Sequence, residues 1–458
     1  MQPGSCGDAG RAVRAVLRFA AKALVGLLLL QGVFLGLLVA AQAVPNRPII
    51  DTLAAAVRTG DYGAPYAPDG VGGTADKFTE CVVVGYGVTS PDDPRSVWYR
   101  ATGAPRLDAC VQGRDEIELL AGGGSLVPPA GYFRYWSGYS VLTRPLLAVT
   151  DMASVRLVVS GLFAAACLGA FLALARRAGT PAAFALFVPI GAATNALAMP
   201  STAFSHGISL AALAAGVALT AVTARTGWRG AALGAGGAAA LFCYVDLLTV
   251  PPMSWALCAA VAGAVAHRAR PGLLATLRVV LAAGVAWPVA FGTTWVSRWV
   301  IAACVQGLGV FRRVQEIGSY RLDGGDVSQR FGAGVTANWT WWVDHTVTAV
   351  PLLVAAAVVV VVALALAVRR HGAQGALVAA VLAAPALVVP AWYWVLSNHS
   401  QIHAFFPYRS IPAAVGVVVM AAVVAAAPAP RSQPDLRPEP DLSMGGGVRS
   451  RRHRPATR

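Results

Sequence analysis

The sequence predicts an all-α integral membrane protein with about ten transmembrane helices and a long first extracytoplasmic loop. Three observations carry this. Of its residues, 57% are hydrophobic and only 12% charged, with a mean hydropathy of +0.61. A soluble domain has roughly 25% charged residues to cover its surface. Apolar runs long enough to cross a bilayer recur along the chain. The short connections between alternate runs are basic.

In chain order the runs are 19–43, 154–175, 180–199, 204–224, 230–248, 250–266, 278–301, 347–368, 375–397 and 410–427. The first is too long for a cleaved leader and lacks a small-residue cleavage end, so it reads as an anchor. Segment 1–18 before it carries Arg11, Arg14 and Arg18, with Lys22 just inside, which places the N-terminus in the cytoplasm. Alternation then puts Arg176-Arg177, Arg225 to Arg229, His267 to Arg270 and Arg369-Arg370-His371 on the same side. The tail 428–458, rich in Pro, Arg, Ser and Gly, joins them there and is expected to be disordered. The breaks at 176–179 and at Thr249-Val250-Pro251-Pro252 are the narrowest. Such a chain is expected in a plasma membrane, crossing it many times. The formal charge of +15 follows from these connections and tails, so no nucleic-acid partner is implied.

Two loops remain for the extracytoplasmic side, 44–153 and 302–346. In the first, Tyr132, Phe133, Tyr135, Trp136 and Tyr139 form the aromatic set that favours the headgroup level. Trp339, Trp341 and Trp342 in the second suggest a similar belt. Seven cysteines lack metal-ligand spacing. Cys81 and Cys110 share the first loop, where they form a disulfide in an oxidising compartment or remain free thiols. No serine-hydrolase, P-loop, zinc-protease or dinucleotide motif occurs.

Polar residues at the span ends gather on the extracytoplasmic side. His206 opens the fourth span. Asp246 closes the fifth, paired with Arg298 or Arg409 or free to serve a site. Arg298 lies near the end of the seventh. Asn398, His399, His403, Tyr408 and Arg409 join the last two. Ionisable groups at this depth are costly and mark substrate sites or internal pairs. In the first loop, Asp76 and Glu80 are four residues apart and share a face if helical. Asp51 follows the first span most closely. Asp76, Glu80 and Asp51 are therefore the candidate bases. The other eight are candidate substrate ligands around one outward-facing cavity. Arginine binds phosphate bidentately, and a carboxylate can deprotonate an acceptor hydroxyl. No motif specifies a metal; a divalent cation beside a diphosphate is the cofactor this chemistry would use.

Five blocks resemble the signature segments of an uncharacterised family of bacterial polytopic membrane proteins. They are Asp76-Lys77-Phe78-Thr79-Glu80, Arg134-Tyr135-Trp136-Ser137-Gly138-Tyr139, Arg144-Pro145-Leu146-Leu147, Tyr244-Val245-Asp246-Leu247-Leu248-Thr249 and Ser397-Asn398-His399-Ser400-Gln401-Ile402-His403. The resemblance implies a tendency to Asp where Glu80 stands, a change that keeps the carboxylate. It also implies a tendency to His where Ser137 stands, so this chain lacks that imidazole. A long acidic first outer loop followed by many spans also resembles the C-type membrane glycosyltransferases (the GT-C superfamily). That resemblance implies a polyprenyl-phosphate-linked sugar donor, a cell-envelope glycan or lipid acceptor, and a base in the first outer loop. Two other readings stay open: a transporter or flippase for an envelope precursor, and a non-catalytic envelope assembly protein. A transporter wants polar groups along a path through the bilayer, and an assembly protein tolerates the loss of single carboxylates.

Overall fold

A computed structural model describes residues 6–325 and 327–428. The tail expected to be disordered lies outside the described residues from position 429 onward. The chain opens with α1 (Cys6–Gln42), whose segment Val13–Gln42 is long and apolar enough to cross a membrane. The first loop is structured throughout. It holds α2 (Asn46–Thr59), the antiparallel hairpin of β1 (Tyr66–Pro68) and β2 (Thr74–Asp76), α3 (Lys77–Gly85), α4 (Val97–Gly103), α5 (Val111–Ala121) and α6 (Ser140–Leu147).

The bundle follows with α7 (Met152–Ala178), α8 (Thr180–Ala192), the short α9 (Met199–Thr202), α10 (Phe204–Thr223), α11 (Trp228–Val245), α12 (Pro251–Ala269) and α13 (Leu273–Gln306). The second loop forms α14 (Gly309–Asp323) and α15 (Ala333–His345). Then come α16 (Ala349–His371), α17 (Ala373–Ala383), α18 (Val388–Val395), α19 (Ser397–Ile402) and α20 (Ser410–Ala426).

Among the described residues, seven helical segments are long and apolar enough to cross a membrane. They match seven of the expected spans. The other three expected spans are also helical but fall short. The helix α8 has only 13 residues. Helices α11 and α12 have the length but not the apolarity, because they face protein more than lipid. From Met253 to Val265, α12 is buried except at Trp255, against α10, α11, α13 and α20. Its inner face is mostly Ala, with Gly263 against Val280 of α13 and Leu382 of α17. Lipid is as apolar as a side chain, so close backbone approach rather than expulsion of water holds such helices together. Gly416 of α20 shows the limit: a Cβ there would lie 2.4 Å from the Leu186 carbonyl of α8.

The aromatic residues expected at the headgroup level are instead core. Phe133, Trp136 and Tyr139 are each at most 1% exposed. Trp136 Nε1 donates to the Thr294 carbonyl at 2.6 Å, and Trp295 Nε1 donates to the Arg134 carbonyl at 2.6 Å. These bonds fix segment 134–139 to α13. Gly138 is required there, since a Cβ would meet the Tyr244 ring at 2.3 Å. Trp342 is likewise buried, donating to the Ala193 carbonyl, while Trp339 is exposed.

One further tie holds the loop to the bundle, and another braces the loop within itself. The Arg144 guanidinium donates to the Ala41, Tyr86 and Val44 carbonyls and to Asn46 Oδ1, at 2.8–3.2 Å. It thus satisfies carbonyls at the end of α1, which have no helical partner. Cys81 and Cys110 form a disulfide, joining α3 to the start of α5.

Candidate functional site: a buried Asp–His–Arg chain beside an arginine–histidine cluster

The Pro68-Asp69-Gly70 turn is the turn chemistry its residues favour. Asp69 Oδ1 accepts from the backbone N–H groups of Val71 and Gly73 at 2.9 and 2.8 Å. Seven residues on, Asp76 caps α3 by accepting from the Thr79 N–H at 3.0 Å, and it also accepts from the Thr79 hydroxyl. The hairpin between them brings both carboxylates against the bundle.

There they meet residues from distant helices. Asp69 Oδ2 accepts from Asn195 Nδ2 at 2.7 Å. Asn195 Oδ1 accepts from Arg409 Nε at 2.6 Å. Arg409 Nη1 donates to His206 Nδ1 at 2.9 Å, and His206 Nε2 stands 3.0 Å from Asp76 Oδ2. A guanidinium can only donate, so Nδ1 of His206 accepts. The ring proton therefore sits on Nε2 and points at Asp76. The five side chains form one chain of hydrogen bonds with a carboxylate at each end. All are at most 4% exposed. Burial raises the Asp76 carboxyl, but the bonds from His206 and Thr79 outweigh it and hold Asp76 below its usual range.

A second cluster lies beside the first. Arg321 Nη1 of α14 donates to His399 Nδ1 at 3.1 Å and to His403 Nε2 at 2.9 Å. His399 Nε2–H donates to the Leu248 carbonyl at 2.9 Å. Leu248 has φ +66°, unusual for a branched residue, in the turn that separates α11 from α12. Asp246 closes that turn by accepting from the Thr249 N–H at 2.8 Å and from its hydroxyl. Phe406 links the clusters: its ring lies 5.2 Å from both His206 and His403, stacked on the latter. The charges of Asp76 and Arg134 both reach His403, and those of Arg134, Arg321 and Asp246 reach Tyr135. Arg134, Arg321 and His403 are half-buried, whereas Asp76, His206 and Arg409 are closed off.

Burial first, and the Arg321 charge next, push His403 down to about 4. The unfolded chain then binds a proton between about pH 6.5 and 4 that the folded chain does not. Stability conferred by a neutral His403 is complete above pH 6.5 and is lost as pH falls towards 4. We expect a loss of about 1–3 kcal/mol across that window. Unfolding midpoints of the wild type and of His403→Gln, measured from pH 7 to 4, check it. Equal pH slopes in the two proteins would refute it.

No family model, curated protein or solved structure matches this chain.

The geometry corrects several expectations. Asp51 is no partner of Asp76. It forms an exposed ion pair with Arg47 on α2 at 3.2 Å, because i and i+4 meet on a helix surface. Glu80 shares a face with Asp76, and both grip the start of α10, but Glu80 is committed elsewhere. Its Oε1 pairs with Arg156 Nη2 at 2.7 Å and its Oε2 accepts from the Phe204 N–H at 2.9 Å. Burial raises its carboxyl, against the pull of Arg156. No group of three or more metal-ligating side chains occurs among the described residues.

Arg298 does not join Arg409, and neither pairs with Asp246. Arg298 Nε donates to the Tyr135 carbonyl at 3.0 Å, and its guanidinium lies 5.8 Å from the Trp136 ring. It supports the wall rather than the centre. Asn398 donates to the Gly324 carbonyl at 3.2 Å, and the Tyr408 hydroxyl accepts from the Asn195 N–H at 3.2 Å. Both position neighbours. Of the candidate ligands, His206, Arg409, His399 and His403 enter the two clusters, and Asp246 shapes the turn beside them. Arg134, which opens one of the five blocks, also joins the site. Asp69, Asn195 and Arg321 complete it and were not singled out in the sequence. Asp69 carries a turn signal, and Asn195 is a lone amide near the end of an apolar run. Arg321 had no signal beyond its charge.

Proposed function

We propose that this chain is a membrane glycosyltransferase of the C type, with its site facing the extracytoplasmic side of a bacterial plasma membrane. It moves a sugar from a polyprenyl phosphate to a cell-envelope glycan or lipid. The observation that carries the reading is the juxtaposition of an ionised, His-bonded Asp76 with the half-buried Arg321, Arg134 and His403. The acceptor oxygen attacks the anomeric carbon while its proton passes to Asp76. The anomeric carbon–oxygen bond breaks, and its electron pair leaves with the polyprenyl phosphate. Arg321 and Arg134 stabilise that developing charge. His206 orients Asp76, and Arg409 fixes the His206 tautomer.

Orientation has separate support. A Cys81–Cys110 disulfide persists in an oxidising compartment, which favours loop 44–153 outside and both chain ends inside. In this reading α8, α11 and α12 complete about ten crossings: α12 is enclosed by the other helices, while α8 is short and keeps Phe184 and Val188 exposed. Transport is less favoured, because the buried charged side chains among the described residues lie at one end of the bundle.

The test is binding of a polyprenyl monophosphate to the purified protein in nanodiscs. Arg409 is buried scaffold, so Arg321→Gln with His403→Ala is the informative variant. Saturable binding should weaken about tenfold or more in that variant. Equal binding by the two proteins, or none by the wild type, would overturn the reading.

A further inference from the structure

The opposite end of the bundle holds a second site. The helix α10 runs 20 residues from the Asp76 cluster, a rise of about 30 Å, before the chain turns into α11. At that turn a cavity of about 160 Å³ opens between the ends of α10 and α12 and the starts of α11 and α13. Arg225, Arg270 and Arg278 line it, with Trp228 as a wall and Ala266 and Ala269 as a small-residue floor.

Two features set it apart from an ordinary basic connection. Trp228 is fixed: its ring packs edge-on against Phe19 at 5.1 Å, and Arg229 lies over it at 5.2 Å. His267 is fixed too, its Nδ1 lying 3.1 Å from Thr276 Oγ1, which ties the end of α12 to the start of α13. The side chains of the three arginines, by contrast, make no hydrogen bond or ion pair among the described residues. All three are exposed and line the recess at the level where a membrane helix ends. Like charges share a lining whose described residues include no acid.

We propose that this recess binds the phosphate of an anionic ligand. Guanidinium groups match phosphate oxygens in fork geometry, and basic pockets between helix ends take anionic headgroups. The shared chemistry is a phosphate mono- or diester, supplied by an anionic phospholipid or by a soluble phosphate. The site is independent of the chemistry proposed at the other end.

Native mass spectrometry of the full-length protein, stripped of lipid in detergent, reads the site. Phosphatidylglycerol should form adducts with the wild type. The triple variant Arg225→Gln, Arg270→Gln, Arg278→Gln should lose them by about tenfold or more. A control, Arg176→Gln with Arg177→Gln, removes charge at another helix end and should retain them. Each single variant should show a smaller loss, which keeps the test open if the triple folds poorly. Adducts undisturbed by millimolar inorganic phosphate identify a lipid headgroup. Displacement by phosphate, with phosphate retained by the wild type and not by the triple, identifies a soluble ligand. Unchanged adducts in the triple and single variants, or equal loss in the control, would overturn the proposal.

Discussion

Arg409→Leu should destabilise the protein by about 3–5 kcal/mol, the cost typical of breaking a buried charge pair by removing one partner. Arg409 is 1% exposed, and its side chain bonds to Asn195 and His206, the two residues that hold Asp69 and Asp76. Leucine fills the space but leaves two nearly buried carboxylates without their shared cation. Adding Asp69→Asn to the variant should restore part of the loss, because one of those charges is then gone. Thermal unfolding of the purified protein measures both. A midpoint for Arg409→Leu within about 2 °C of the wild type would refute the role of Arg409 as counter-charge.

The second expectation separates Asp76 from Glu80. If Asp76 takes the acceptor proton, Asp76→Asn should lower sugar transfer by roughly 10²–10⁴-fold. Its cost in stability should be small, about 1–2 kcal/mol, because the amide keeps the shape and one acceptor. Glu80→Gln should do the reverse. It removes the buried one of two carboxylates on Arg156, which keeps Asp61 at 3.0 Å, so it should cost about 2–3 kcal/mol, with transfer by the folded fraction within about threefold of the wild type. Transfer of a labelled sugar from a polyprenyl phosphate in reconstituted vesicles, set beside unfolding midpoints, resolves the two. Parallel losses of activity and stability in both variants would remove any special role for Asp76.

Much of the bundle was legible because lipid-facing helices must be apolar along their whole length. The segment Ala349–His371, with hydropathy 3.0, is the clearest case. Helices α11 and α12 were read as spans on the same ground, yet they are less apolar since protein surrounds them. Their breaks were legible for a different reason: Pro251 and Pro252 cannot continue α11, and Gly179 and Gly227 adopt positive φ where the chain reverses. The first loop was legible only in part. Its aromatic residues suggested an interface, but aromatic side chains fill a core equally well, and composition does not separate the two.

The candidate site shows the same division. His206, His399, His403 and Arg409 stood out because polar groups inside apolar runs are expensive. Asp76 stood out for its spacing to Glu80, although the hairpin that delivers it to His206 was not foreseen. Arg321 lies on α14, a polar helix where one arginine among several attracts no notice. Only its position against two imidazoles distinguishes it.

The hydrogen-bonded chain from Asp69 to Arg409 also imposes a timetable on biogenesis. The ribosome makes Asp69 and Asp76 early and Arg409 about 330 residues later, an interval of roughly 15–65 s at ordinary rates of synthesis. During that interval the nascent protein carries two carboxylates whose buried counter-charge does not yet exist. A message truncated before the last hairpin would therefore leave a bundle with most of its helices but an unneutralised interior. Such a product would keep Asp69 and Asp76 but lack the one cation their hydrogen-bonded chain shares.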